Sequence, residues 1–312
     1  MKKKLKVAVI MGGNSPEHDI SVISGNEVVK NLEKAKYEIL PITIPRNGNM
    51  SNPNKIIQAN NIDMVFVAMH GAGGEDGKIQ SFLELMNIPY TGSGVLASAL
   101  AMDKKFSKKM FAQAGLTVPV GVGVDKNFKV EEIWKKLSPP VFVKPSTAGS
   151  SVGVSKVKEK KDLKKAIVKA LKYSNEAIVD EFIQGTEVTC AILGNENPVA
   201  LPVIEIVTKN EFFDFEAKYS EALTEEIVPA RINPRLTKKV QATALTAYEA
   251  LGCRGFGRVD MIIKNGKIYV LEVNTIPGLT PASLLPKAAR ASGLSFSQLL
   301  DTVISLAVLP TP

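Results

Sequence analysis

Two apolar-rich runs, Gly257 to Ile263 and Ile268 to Asn274, flank Lys264-Asn265-Gly266-Lys267. An Asn-Gly turn between such runs dictates an antiparallel hairpin, the tightest local constraint in the chain. Side chains alternate faces along a strand. Val259, Met261, Ile263, Tyr269, Leu271 and Val273 therefore suit a core, while Arg258, Asp260, Glu272 and Asn274 fall on even positions. Whether the polar groups meet depends on the turn. A two-residue loop pairs 264 with 267 and sends Asp260 and Glu272 to opposite faces. A three-residue loop of 264 to 266, with Gly266 as the left-handed residue, pairs 263 with 267. Arg258 then lies opposite Glu272, with Asp260 its diagonal neighbour. Only this second register leaves a clean apolar face, so it is the one expected.

Two carboxylates about 4 Å apart repel by about 4 kcal/mol at an effective dielectric of about 20. Arg258 could offset that alone, as a plain ion pair. Two carboxylates and an amide carbonyl are also hard oxygen ligands that suit Mg²⁺ beside phosphate oxygens. That alternative requires nucleotide-binding segments elsewhere in the chain.

The chain has 312 residues, enough for two or three packed units, and its 45% hydrophobic and 22% charged residues fit a soluble globular protein. Apolar runs are far too short to span a membrane. The start, through Val7 to Met11, ends in Gly12-Gly13 without a small-x-small cleavage site, so it reads as a buried strand and the protein as cytoplasmic. Cys190 and Cys253 form no metal spacing or disulfide framework, and two histidines, His18 and His70, exclude a histidine-rich cage. The net charge of +8 resides largely on lysines such as Lys158, Lys160, Lys161, Lys164 and Lys165, a solvated helix face. Aromatics are 6% and do not interleave with basic residues, which argues against nucleic acid and favours an anionic small molecule.

Strands and helices alternate from residue 5 to about 95, as in a parallel α/β unit with functional loops at strand ends. Ser15-Pro16-Glu17 predicts a helix start, with Ile20, Ile23, Val28 and Leu32 facing inward. The pattern divides into an N-terminal unit of 1–97, a central unit of 98–185 and a C-terminal unit of 186–312. The last contains the hairpin and a long irregular stretch at about 209–230 that reads as a lid.

Three loops could serve a nucleotide or a small substrate. Pro145 to Gly153, after Lys144, is built of small residues that let backbone N–H groups approach phosphate, although it is no Walker loop. Val179 to Glu187 reads as a strand, a hinge and another strand. Its main chain could meet an adenine edge and Glu187 a ribose. His70 to Gly77 is a strand-end loop with four glycines and one imidazole. Each has a plainer reading as a flexible loop, a simple crossover or a satisfied histidine.

Together, Gly12 to Ser21, His70 to Gly77, Tyr90 to Gly94, Met102-Asp103-Lys104, Val143 to Gly153, Glu216 to Tyr219, Gly257 to Asp260 and Glu272 to Gly278 resemble the D-alanine–D-alanine ligase family, in that family's order. The resemblance spans residues 5 to about 305. It implies the ATP-grasp fold, an N-terminal α/β domain followed by two α+β subdomains that close on ATP. It implies that Lys104, Lys144 and the Ser150-Ser151 loop contact the phosphates. Asp180, Glu181 and Ile183 would line the adenine, with Glu187 on the ribose and Lys218 on the γ-phosphate. Asp260, Glu272 and Asn274 would hold two Mg²⁺ ions, with Mn²⁺ a possible substitute. Glu17, in a set with Ser150 and Tyr219, would receive the first D-alanine, assisted by His70. Arg258 and the Gly278 N–H would stabilise the oxyanion, and Ser283 would bind the second D-alanine. A homodimer is also implied. The rival readings are a sister ligase using D-lactate or D-serine, and a catalytically silent nucleotide-binding module.

Overall fold

The buried run Val7 to Met11 makes β1 (Leu5–Gly12) a strand covered on both faces, the habit of parallel sheets. The structure, a computed structural model, describes residues 3–47, 61–149, 152–208 and 224–307. The predicted loop at Ser150-Ser151 and most of the predicted lid, including Lys218 and Tyr219, lie outside the described residues. After α1 (His18–Asn31), β2 (Tyr37–Ile44) and β3 (Met64–Val67) pair in parallel with β1 on either side. Tyr90 adds a parallel bridge to Val65 beyond α2 (Lys78–Leu85).

The start of α1 and part of its inward face differ from expectation, although Val28 and Leu32 are buried as expected. Ser15-Pro16-Glu17 form a turn, the helix begins at His18, and its buried residues are Ser21, Ser24, Gly25 and Val28, whereas Ile23 is 49% exposed. The Ser21 hydroxyl accepts from the Gly12 N–H (2.7 Å) and donates to the Ala68 carbonyl (2.8 Å). Leaving such buried groups unpaired costs about 1–3 kcal/mol each. Small polar side chains therefore take the inner face, and Ile23 turns to solvent.

Next come α3 (Val95–Met102), which the sequence reading missed, and α4 (Lys104–Gln113). The Asp103 carboxylate caps α4, accepting from the N–H groups of Lys105 and Phe106. Then follow β4 (Gly121–Val124), α5 (Val130–Trp134), β5 (Val141–Pro145), β6 (Ser155–Val157), α6 (Leu163–Ala170) and β7 (Ala177–Glu181). Their strands form an antiparallel sheet in the order β4-β7-β5-β6. Its core joins Val141, Val143 and Val179 to Leu163 and Ile167 of α6, while the five lysines of the predicted face are exposed.

The chain then forms β8 (Thr186–Leu193), β9 (Val199–Ala200), β10 (Ile204–Thr208) and β11 (Thr224–Ile227). After α7 (Pro234–Ala250) come the hairpin strands β12 (Phe256–Lys264) and β13 (Lys267–Asn274), then α8 (Leu284–Ala291) and α9 (Phe296–Ser305). The sheet order is β11-β10-β8-β12-β13, with β9 beside β8. Asn233 caps α7 by accepting from the Leu236 N–H at 2.9 Å, and Pro234 takes a first-turn position. Val240, Ala244 and Tyr248 of α7 pack on Val259 and Met261 of β12, and Ala97, Ala101 and Phe111 of α3 and α4 join that same core. Full burial of each large apolar side chain contributes about 1.5–3 kcal/mol.

Candidate active site

The hairpin register corrects the expectation in one respect. Lys264 pairs with Lys267, so the turn has two residues, Asn265 and Gly266. Both have positive φ (51° and 75°), as a type I′ turn requires. That register alone would send Asp260 and Glu272 to opposite faces. However, Met261 pairs with Val270 and Asp260 pairs with Glu272, which leaves Leu271 unpaired as a β-bulge. The bulge moves β13 back into phase. Asp260 thus faces Glu272 directly, and Arg258 lies opposite Asn274 rather than Glu272. It also changes the core: Ile268, Val270 and Val273 pack inward, while Leu271 lines the cleft with Glu272.

Asp260 is buried and accepts four hydrogen bonds. The Arg258 Nε and Nη2 groups donate at 2.9 and 2.8 Å, Asn274 Nδ2 at 3.0 Å and the Thr189 hydroxyl at 2.6 Å. Burial pushes the Arg258 pKa down, but the charges of Asp260, Glu272 and Glu75 outweigh it and raise it overall. The ion-pair arrangement left open by the sequence is therefore present among the folded side chains. Across the cleft, Lys104 Nζ lies 3.3 Å from Glu272 Oε2 and donates to the Ala148 carbonyl at 2.7 Å. Lys104 is fixed by its own backbone, whose N–H donates to the Ser146 carbonyl (2.9 Å), while the Ser146 hydroxyl donates to Asp103 (2.8 Å).

The cleft lies between the two antiparallel sheets and has a cavity volume of about 140 Å³. Lys104, Lys144, Asp260 and Glu272 place polar groups in a cleft that is otherwise mostly apolar, with Phe142, Ile183, Ile262 and Leu271 in its wall. Asp180, Glu181 and Glu187 also line it. Asp180 is 2% exposed, held by Lys144 Nζ at 2.8 Å and by Lys108. Burial lowers the Lys144 pKa, but the Asp180 charge more than compensates, so it is raised; burial keeps that of Lys108 lowered. Lys108, one turn beyond Lys104 on α4, was missed by the sequence reading, although its spacing placed both amines on one helix face. Glu181 is tied to Val120 by its backbone N–H (2.8 Å) and by its carboxylate (2.8 Å).

A smaller pocket abuts this cleft and shares Lys104 and Glu272 with it, adding Glu75, Gly149, Asn274 and Thr275. The Glu17 carboxylate is buried beside it, so close to Gly71 that a Cβ there would lie 1.8 Å from Glu17 Oε2. Glu75, also missed, accepts from the N–H groups of Gly71 (2.8 Å) and Ile276 (3.1 Å). Burial, followed by the Glu17 charge, pushes its carboxyl up to about 8. A carboxylate in a loop of four glycines was the signal available.

His70 is buried with both ring nitrogens engaged. Nδ1 lies 3.0 Å from the Ile276 carbonyl, so it carries the proton, and Nε2 accepts from the Ser24 hydroxyl at 2.9 Å. Burial pushes the ring down to about 4, so it is neutral at pH 7. Gly278 and Ser283 are adjacent, since a Cβ on Gly278 would lie 2.7 Å from Ser283 Oγ. The Ser283 hydroxyl interacts with the Thr280 hydroxyl at 2.8 Å and accepts from the Thr280 N–H at 3.1 Å. Cys190 and Cys253 are buried, and burial pushes both thiols up to about 12, so neither is poised as a nucleophile.

Two antiparallel subdomains enclosing a cleft behind a parallel α/β unit, with lysines facing a carboxylate hairpin, define an ATP-grasp architecture. Family models described as D-ala D-ala ligase C-terminus and N-terminus match residues 112–305 and residues 6–58 and 46–93. The chain is 45% identical over 310 residues to a D-alanine–D-alanine ligase of Carboxydothermus hydrogenoformans, covering 97% of this chain and 98% of that relative. A Bacillus anthracis D-alanine–D-alanine ligase complexed with ATP superposes with a TM-score of 0.83 at 38% identity, covering 97% of both chains. The VanG D-Ala:D-Ser ligase of Enterococcus faecalis gives 0.86 at 38% identity, covering 98% of this chain and 100% of that one. The chain belongs to the D-alanine–D-alanine ligase family.

Proposed function

We propose that this chain joins two D-alanine molecules at the expense of ATP, releasing ADP and phosphate, to supply the dipeptide of peptidoglycan precursors in the cytoplasm. The observation that carries this reading is the continuity of two pockets: the large cleft and the small polar pocket share Lys104 and Glu272. A phosphate at that shared wall reaches both a nucleotide on one side and a small amino acid on the other.

In this reading the adenine lies against Phe142, Ile183 and Leu271, near the Asp180-Glu181 strand end, with the ribose at Glu187. Lys104 and Lys144 meet the phosphates. Asp260, Glu272 and Asn274 would hold Mg²⁺ with two carboxylates and an amide oxygen, provided the Asn274 amide turns so that its oxygen, rather than the Nδ2 group now bonded to Asp260 Oδ2, faces the ion and frees that carboxylate oxygen. Bound there, the two ions would neutralise phosphate charge.

Glu17 receives the first D-alanine's ammonium, and His70 braces that end of the site as a neutral ring. The first carboxylate attacks the γ-phosphorus, forming an acyl phosphate and ADP. The second D-alanine, its carboxylate near Ser283, attacks the acyl carbon as a free amine, loses a proton and expels phosphate. Arg258 and the Gly278 N–H stabilise the oxyanion between these steps. The remaining work is positioning and exclusion of water. Ser150, Ser151, Lys218 and Tyr219 keep the roles the resemblance implies, and the protein acts as a homodimer.

The test is ADP release with D-alanine, L-alanine, D-serine and D-lactate, with products identified by mass. D-alanine-dependent release with D-alanyl-D-alanine as main product is expected. Release indifferent to D-alanine would overturn the reading. Likeness to the VanG D-Ala:D-Ser ligase favours D-serine as the second reading, and a mixed dipeptide as main product would select it.

A further inference from the structure

The segment Ile276-Pro277-Gly278-Leu279 is held by side chains from the N-terminal unit. Glu75 accepts from the Ile276 N–H at 3.1 Å, and His70 Nδ1 donates to the Ile276 carbonyl at 3.0 Å. Beyond Gly278, the Leu279 N–H donates to Ser24 Oγ at 3.3 Å. The Ser24 hydroxyl in turn donates to His70 Nε2 at 2.9 Å. One fully buried serine on α1 therefore touches the far anchor of the segment directly and the near anchor through a single imidazole.

We propose that Ser24 is a positioning residue for the second step of the reaction. Its hydroxyl sets the placement of the Gly278 N–H from both sides without touching substrate, an inference that rests on the oxyanion role given to Gly278. The geometry leaves little slack. Only Pro277 and Gly278 lie between the two anchors, and proline fixes one of the backbone torsions between them. The hydroxyl has one proton, which the neutral His70 acceptor takes, and its lone pairs remain for Leu279. An alanine would leave both the imidazole and the Leu279 N–H without this partner. Among the described residues, a hydroxyl on α1 thus couples the strand-end loop of the first sheet to a loop more than two hundred residues later in the chain.

The test separates the two chemical steps. Formation of the acyl phosphate does not use the Gly278 N–H, whereas attack on it does. Ser24→Ala should lower dipeptide formation about 10- to 100-fold, because loss of a well-aimed oxyanion donor costs about 10²–10³-fold and misplacement costs part of that. The KM for ATP should stay within about twofold, and ADP released per dipeptide should rise well above one as stranded acyl phosphate hydrolyses. Ser24→Thr, which restores the hydroxyl, should bring that ratio back towards one.

Ser24→Ala with an unchanged ratio and rate overturns the inference, as does Ser24→Thr that is equally uncoupled, since shape rather than the hydroxyl would then matter. If Ser24→Ala does not fold, Ser24→Cys, with similar volume and a weak donor, decides by the same ratio. A parent enzyme that releases no ADP in response to D-alanine would instead sink the proposed function, a result distinguishable from either.

Discussion

His70 Nδ1 donates to the carbonyl of Ile276, tying the end of the first sheet's third strand to the loop after the C-terminal hairpin. The ring is neutral because burial outweighs this favourable bond and the Arg258 charge adds to the penalty of protonation. Its pKa falls from 6.5 to about 4. An unfolded chain takes up a proton near the ordinary value, whereas the folded chain resists until near the lower one.

Stability from His70 is therefore fully present above the unfolded value and is lost as pH falls through the window down to about 4. The size is about 3 kcal/mol at the acid end. His70→Gln should lack this part of the acid slope. Urea unfolding of both proteins across that window measures it, and parallel slopes would show that the ring titrates normally.

Arg258→Ala should lower dipeptide formation by at least about 100-fold, as loss of an oxyanion-stabilising group does. Fluorescent ATP-analogue binding should persist, because the apolar wall of Phe142, Ile183 and Leu271 is untouched. Removing the arginine also leaves Asp260 without its buried cation, which costs about 3–5 kcal/mol of stability. Turnover near the parent rate would exclude the role.

Glu272→Gln should weaken Mg²⁺ dependence before it weakens the fold. The carboxylate is partly exposed and faces Lys104, so its loss leaves that amine with the Ala148 carbonyl. Turnover should fall about 100-fold or more, with the Mg²⁺ concentration for half-maximal activity rising about tenfold. An unchanged Mg²⁺ titration would remove Glu272 from the metal set.

Gly266→Val should destabilise the protein by about 1–2 kcal/mol, since a side chain at positive φ costs that much in a left-handed position. The turn lies away from Asp260 and Glu272, so kcat should stay within about twofold. Thermal unfolding and steady-state kinetics check the two halves of this expectation.

Much of the fold was legible because its signals are local. Val7 to Met11 announced a buried strand, and the strand-end motifs announced their loops. Signals that depended on a partner were lost. Ile23 looked like a core residue until Ser21 was needed by Gly12 and Ala68. The Asn-Pro start of α7 was present, but its partner face was not. Asp103, Lys104, Asp260 and Glu272 could be picked out by type and order. Glu75 and Lys108 were overlooked because their importance comes from burial and from charges brought near by folding. The bulge at Leu271 had no composition to mark it.

The hairpin thus keeps a parity. Its two-residue turn puts the strands one step out of phase, and Leu271 puts them back. Neither feature is a defect, because each cancels the other. Removing Leu271 alone would leave a regular two-residue hairpin in which Glu272 still meets Asp260 and Val273 still meets Val259. Adding one residue within 267–270 while the bulge is kept would instead set Glu272 opposite Val259 on the core face and move Val273 into the cleft. The extra residue of the bulge therefore goes to the cleft wall, where it adds the Leu271 side chain without changing which groups meet at Asp260.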